Sequence, residues 1–204
     1  VMSDLEQIDE RTRLVAVGWA SNLLGTVNPV EQACRAAREV GAVSFVDAVQ
    51  YAPHAVPDVK KAECDFLACS AYKFYGPHVG ILWGKAELLE SLSPWKVRPA
   101  SEQIPHRWET GTLNHEGIAG TLGALEYLAS LGDGDLSTAM QRIAEWENAL
   151  TQRLLDGLGP QFQLQGLPAG PDRVPTVALT HQSKSPSELA QGLAEQGICV
   201  WSGH

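Results

Sequence analysis

The chain has 204 residues, 44% hydrophobic and 19% charged, with 15 Lys and Arg against 24 Asp and Glu. That length suffices for one domain with a sizeable core, or one domain and part of another, and the composition is ordinary for a globular protein. A formal net charge of −9 speaks against a general surface for nucleic acid or anionic membrane, and no apolar run has the length of a bilayer span. No basic-then-apolar leader opens the sequence, but with Val1 first this carries no weight for targeting.

Leu14 to Trp19 is a short apolar run suited to a buried strand. Asn28-Pro29-Val30-Glu31 then predicts a helix start, with Asn28 as N-cap, Pro29 in the first helical position and Glu31 closing a capping box. Val30, Ala33, Cys34 and Ala37 continue at helical spacing, and Gly41 ends the helix. Val43 to Val49, Phe66 to Ser70 and Val79 to Trp83 predict further strands. This rhythm gives an α/β fold, a largely parallel sheet with flanking helices.

Pro94 to Arg107 holds three prolines and predicts a long irregular connection. Ile118, Leu122, Leu125 and Ala129 mark an amphipathic helix, and Leu136, Met140, Ile143, Leu150 and Leu154 a longer one beginning near Asp135. Gly157 to Arg173 is turn-rich, which predicts a large domain over residues 1–157 and the start of a smaller α+β domain over 158–204. There, Val174 to Thr180 predicts a strand, Ser185-Pro186-Ser187-Glu188 caps a helix through Glu195, and Ile198 to Trp201 begins another strand.

Cys34, Cys64, Cys69 and Cys199 are dispersed, with no C-x-x-C pair, which speaks against zinc and disulfides and for free thiols in a cytoplasmic protein. His54, His78, His106 and His115 lie at scattered spacings with no companion ligands, so no metal site is expected. Cys69 and Cys199 fall on apolar strand positions and read as core filling.

Ligands of open α/β sheets gather at the carboxyl ends of the strands. Asp47 stands near one such end and Gln50 in its exit loop; Ser70, Tyr72 and Lys73 stand at another, ahead of a Gly76-Pro77 turn. Singly, each has a commoner role: an Asp after a strand forms turns, a Lys is solvated, a Ser satisfies backbone. Together, carboxylate, amide, hydroxyl and lysine are the groups needed to hold pyridoxal phosphate. The lysine binds the aldehyde, for which it must be neutral and partly buried, the carboxylate pairs with the ring nitrogen, and hydroxyls reach the phosphate.

The segments Asp47-Ala48-Val49-Gln50, Cys64 to Lys73 and Gly76-Pro77 closely resemble the class V aminotransferase family, the fold-type I pyridoxal-phosphate enzymes that include cysteine desulfurases. Ser21-Asn22-Leu23-Leu24-Gly25-Thr26 and Glu109-Thr110-Gly111-Thr112-Leu113-Asn114 resemble two flanking family motifs, so the resemblance spans most of the chain. It implies that Lys73 is the Schiff-base lysine, Asp47 the partner of the pyridinium nitrogen, Gln50 the partner of the phenolate oxygen, and Ser70, with Tyr72, part of the phosphate site. It further implies that Thr112 reaches the phosphate of a neighbouring subunit in a homodimer, and that Asn22 lies by the carboxylate of a small amino-acid substrate.

The implied activity is that of a cysteine desulfurase, removing sulfur from cysteine to leave alanine. Alternatives are a class V aminotransferase, an epimerase or kynureninase-like hydrolase, or a non-catalytic dimeric scaffold. One departure stands out: Tyr72 occupies the place of the family's histidine, and a phenol cannot carry a proton near neutral pH as imidazole can. The resemblance also implies that the chain is an internal piece. The family's N-terminal phosphate loop and ring-stacking aromatic would precede Val1, and its nucleophilic cysteine and carboxylate-binding arginine would follow His204; none of the four cysteines matches that nucleophile.

Overall fold

The computed structural model describes residues 5–203 and divides into two compact units. One comprises residues 27–144 with the segment up to 21; the other comprises 145 onward with 22–26.

In the first unit, β1 (Leu14–Gly18), β2 (Val43–Asp47), β3 (Phe66–Ser70) and β4 (Gly80–Gly84) form a sheet in sequence order. The β1–β2 and β2–β3 pairs are parallel and β4 runs antiparallel to β3, so the sheet is largely parallel as expected. α1 (Val30–Glu39) connects β1 to β2 and buries Val30, Ala33, Cys34 and Ala37. Val30 and Cys34 meet Val46, Ala48, Cys64, Leu67 and Trp19 in one core. A fully buried valine such as Val46 contributes roughly 1.5–3 kcal/mol. Strand alternation turns Phe45, Asp47, Phe66, Ala68 and Ser70 to the opposite face, where the Phe45 and Phe66 rings stack 6.2 Å apart.

The start of α1 differs from the predicted capping box. Pro29 occupies the N-cap position and no side chain caps the helix. Asn28 instead donates through Nδ2 to the Gly18 carbonyl at 2.7 Å, tying the helix entry to the end of β1, and Glu31 pairs with Lys61 at 3.2 Å. A long-range bond from the Asn28 amide nitrogen stands where a local cap bond to its oxygen was expected.

Asp65 clamps the amino end of the sheet. Its carboxylate accepts from Ser44 N at 2.8 Å, from Ser44 Oγ at 3.0 Å and from Lys85 Nζ at 2.7 Å. It thereby joins β2, the entry to β3 and the exit from β4.

Of the later elements in this unit, α2 (Val59–Ala62) and α3 (Ala86–Ser91) are short, α4 spans His115–Ser130 and α5 spans Leu136–Asp156, its first turns belonging here. Residues 94–105 are irregular, as expected. α4 buries Gly117, Thr121, Ala124 and Leu128 and leaves Ile118, Leu122 and Leu125 exposed, the reverse of the face its apolar spacing predicts. Close approach decides the matter. A Cβ on Gly120 would lie 3.2 Å from Pro77, and one on Gly117 would meet Val79, so only the small-residue face fits against that turn.

In the second unit, β5 (Phe162–Gln165) pairs antiparallel with β6 (Ala178–His181), and α6 (Pro186–Ala194) begins with the predicted capping box on Ser185 and Glu188. β5 falls inside the segment predicted as turns, and β6 starts four residues later than predicted. Residues 198–201 form no strand, and the Ile198 amide instead donates to the Leu193 carbonyl at 2.9 Å; Cys199 and Trp201 are exposed. Arg173, 5% exposed, donates to the carbonyls of Val174, Leu167, Thr176 and Leu24, and burial pushes its guanidinium pKa down. Gly25, at φ 74°, leaves no room for a side chain against the Thr176 and Val174 carbonyls.

Asp65→Ala should lower stability by roughly 1–3 kcal/mol, since Ser44 and Lys85 lose their acceptor; a reduced urea midpoint reads this. Burial pushes the Asp65 carboxyl up, yet the bonds from Lys85 and Ser44 outweigh it and hold the pKa below the usual value. The contribution is therefore complete above about pH 4 and fades as pH falls through the folded-state value, so the gap between wild type and variant should narrow on acidification.

Candidate active site

Parallel pairing sets Asp47 of β2 beside Ala68 of β3, and the ladder continues one step further with Ala48 N donating to Ala68 O at 2.8 Å. Side chains repeat every two residues, so Asp47, Ala68 and Ser70 share one face at the carboxyl edge. Asp47 is exposed there. Its Oδ1 accepts from Val49 N at 2.8 Å, shaping the exit turn, while Oδ2 has no partner among the described residues. Gln50 follows, half-buried, in a turn whose Tyr51 and Ala52 amides both donate to the Ala48 carbonyl. The Tyr51 ring lies parallel to that of Trp19, 4.4 Å away with 4° between planes, and pins this turn to the end of β1.

Lys73 lies in a single 3-10 turn, Ala71–Phe74, directly after β3. Ala71 and Phe74 are buried anchors at i and i+3, which leaves Tyr72 46% exposed and Lys73 half-buried between them. Among the described residues Lys73 Nζ has no carboxylate partner; it stands 5.2 Å from the centre of the Tyr72 ring. On the same ring stacks His78, centroids 5.2 Å apart.

The chain returns tightly after Lys73. Tyr75 takes the left-handed conformation at φ 68°, Gly76 N donates to Ala71 O at 2.9 Å, and Ala71 N donates to Val79 O at 2.8 Å. A Cβ on Gly76 would lie 2.8 Å from that of Ala71, so only glycine closes this loop without displacement.

The sheet edge thus brings together Asp47, Gln50, Ser70, Tyr72 and Lys73, the groups expected from their order in the sequence. Thr112 stands apart, exposed in the loop ahead of α4, and Asn22 is an exposed residue of the second unit. His78 entered the sequence analysis only as a poor metal ligand; its stacking on Tyr72 had no signal beyond its place after the Gly-Pro turn. The partnership of Trp19 with Tyr51 was equally hidden.

Burial pushes the thiols of Cys34 and Cys69 up and that of Cys64 up to about 11, with the Asp47 carboxylate adding to the effect at Cys69. Such thiols are inert fillers. Among the described residues no three His, Cys, Asp or Glu side chains converge as a metal site, and no helix is long and apolar enough to cross a membrane.

A largely parallel sheet with flanking helices, and a lysine beyond the strand next to an aspartate, agrees with the fold that the resemblance implies. The particular group follows from comparison. The sequence matches the aminotransferase class-V family over residues 2–204, and the chain belongs to that family, whose members are pyridoxal-phosphate enzymes. It is 37% identical to a probable cysteine desulfurase of Streptomyces coelicolor, with 98% of this chain and 49% of the relative aligned. It is 35% identical to a cysteine desulfurase of Pectobacterium carotovorum, over 97% of this chain and 50% of that one.

Among solved structures, the apo cysteine desulfurase of Thermococcus onnurineus superposes with a TM-score of 0.86 at 28% identity, covering 98% of this chain and 53% of its own. A cysteine desulfurase of Escherichia coli gives 0.76 at 32% identity, covering 95% and 49%. The chain spans about half the length of the curated relatives it matches.

Gly76→Ala should cost roughly 1–3 kcal/mol in thermal or urea unfolding, because Ala71 must yield. Gly80→Ala, where an added Cβ meets nothing within 4 Å, should stay within about 0.5 kcal/mol of wild type. Asp47→Asn should speed modification of Cys69 by less than about tenfold at pH 8, since it removes the carboxylate's share of the upward push and leaves the larger share from burial. Thiol titration with a chromogenic disulfide measures that rate.

Proposed function

We propose that this chain is the lysine-bearing part of a pyridoxal-phosphate enzyme of the cysteine desulfurase type, acting on a small amino acid as a homodimer. The observation that carries the reading is Lys73 itself. Among the described residues, a half-buried amine with no counter-ion stands beyond β3, one strand from a carboxylate that keeps one oxygen free. A lysine serving only stability would be solvated or ion-paired, as Lys85 is with Asp65.

The donor set fits the cofactor. Pyridoxal phosphate, when bound, supplies an aldehyde for an amine and a ring that accepts electrons from the substrate α-carbon. Asp47 Oδ2 holds the proton on the ring nitrogen, and the Gln50 amide donates to the ring oxygen. The Ser70 and Tyr72 hydroxyls donate to the phosphate. Lys73 would hold the aldehyde end, and its Nζ would serve as the base that takes the proton from the substrate α-carbon.

Thr112 is assigned to the phosphate of a second copy and Asn22 to the substrate carboxylate on the family resemblance. The cysteine substrate is supported by the names of relatives at 35–37% identity. Dispersed free thiols fit a reducing cytoplasm. The family's description, aminotransferase class-V, supports a second reading, amino transfer on the same platform.

The intact protein, saturated with pyridoxal phosphate, should show a visible absorption band that borohydride removes while fixing the cofactor to the Lys73 peptide. Lys73→Ala should abolish both and lower turnover by roughly 10²–10⁴-fold. Sulfide and alanine from cysteine identify a desulfurase; amino transfer to a 2-oxo acid identifies the second reading. A colourless protein that fixes no cofactor defeats both and leaves a scaffold.

A further inference from the structure

We propose that His78 is a positioning residue for Lys73, acting through the ring of Tyr72; this rests on reading Lys73 as the reactive amine. Lys73 has four side-chain torsions and, among the described residues, no carboxylate to hold it. A carboxylate would bind the amine as an ion pair and compete with the aldehyde for it. The Tyr72 ring, 5.2 Å from Nζ, directs the amine by the attraction of an aromatic face for a cation and forms no bond that must be broken.

That only works if the ring stays put, and Tyr72 is 46% exposed, a position where a tyrosine ordinarily samples several rotamers. His78 restrains it. The imidazole lies against the phenol with 27° between planes and centroids 5.2 Å apart, and its own place is set by the backbone.

Residues 71 and 79 are joined by the Ala71 N to Val79 O bond, Gly76 is packed on Ala71, and Pro77 rests on Gly120 of α4. His78 therefore stands on the return of the loop and Tyr72 on its outgoing limb, and the stack joins the two limbs beside the lysine. Neither ring nitrogen of His78 has a hydrogen-bond partner among the described residues, so the ring face is its one described contact.

The test reads the amine without cofactor. Intact protein receives a brief pulse of acetic anhydride at fixed pH, and mass spectrometry gives acetylation of Lys73 relative to exposed Lys184. His78→Ala should raise that ratio at least about threefold, the size of one exposed cation–π contact. His78→Phe, which keeps a stacking ring without the imidazole, should return it to the wild-type value. In a Tyr72→Leu background His78→Ala should add nothing further.

An unchanged or lowered ratio in His78→Ala, a His78→Phe protein that behaves like His78→Ala, or additive effects of the two substitutions would each overturn the proposal. His78 is exposed, so these variants retain the fold, which circular dichroism checks. A second readout, borohydride fixation of added pyridoxal phosphate by the wild-type protein, tests the functional reading separately. A wild-type protein that fixes none defeats the functional reading, while the acetylation ratios still decide the role of His78.

Discussion

Parallel pairing of β2 with β3, in the register that sets Asp47 beside Ala68, is the constraint on which the candidate site depends. Side chains alternate along a strand, so a slip of one residue would send Asp47 and Ser70 to opposite faces and move the Lys73 turn with them. Three features hold the register. At the amino end, Asp65 binds both the amide and the hydroxyl of Ser44. In the middle, Val46 and Leu67 share the core under α1. At the carboxyl end, Ala48 donates to Ala68, so the two exit loops begin from one fixed pair.

Beyond that edge the chain builds rigidity from small residues. Ala71 is wholly buried, Gly76 folds back on it, and Gly117 and Gly120 let α4 approach Val79 and Pro77. The lysine is therefore carried on a short turn with a firm floor, and its amine remains unpaired. Two aromatic stacks brace the exit loops, Trp19 with Tyr51 in the Gln50 turn and Tyr72 with His78 beside the Lys73 turn. A fixed backbone around an uncommitted side chain suits a group that must exchange one partner for another during turnover.

Local signals were legible where local chemistry decides. β3 begins and ends at the predicted residues, and α6 opens on the predicted capping box, because apolar run length and a four-residue cap depend on neighbours in the chain. They failed where a distant partner outbid a near one. Asn28 left its helix for the Gly18 carbonyl, α4 turned its leucines outward to present glycines to a turn forty residues earlier in sequence, and residues 198–201 lacked a pairing strand. The family match and the half-length alignments agree with the resemblance read from Asp47, Gln50 and the Ser70 to Lys73 cluster.

The order of residue types along the chain determined the α/β class, the membership in a pyridoxal-phosphate family and the identity of the candidate lysine and aspartate, because strand period, turn chemistry and motif spacing are written in adjacent residues. Only the tertiary structure decided that Asp47 and Ser70 share a face, that Lys73 has no counter-ion among the described residues, and that His78 rests on Tyr72. Those facts depend on register, loop closure and ring packing between segments that are not neighbours in sequence, and the energy of such contacts exists only once the sheet has formed.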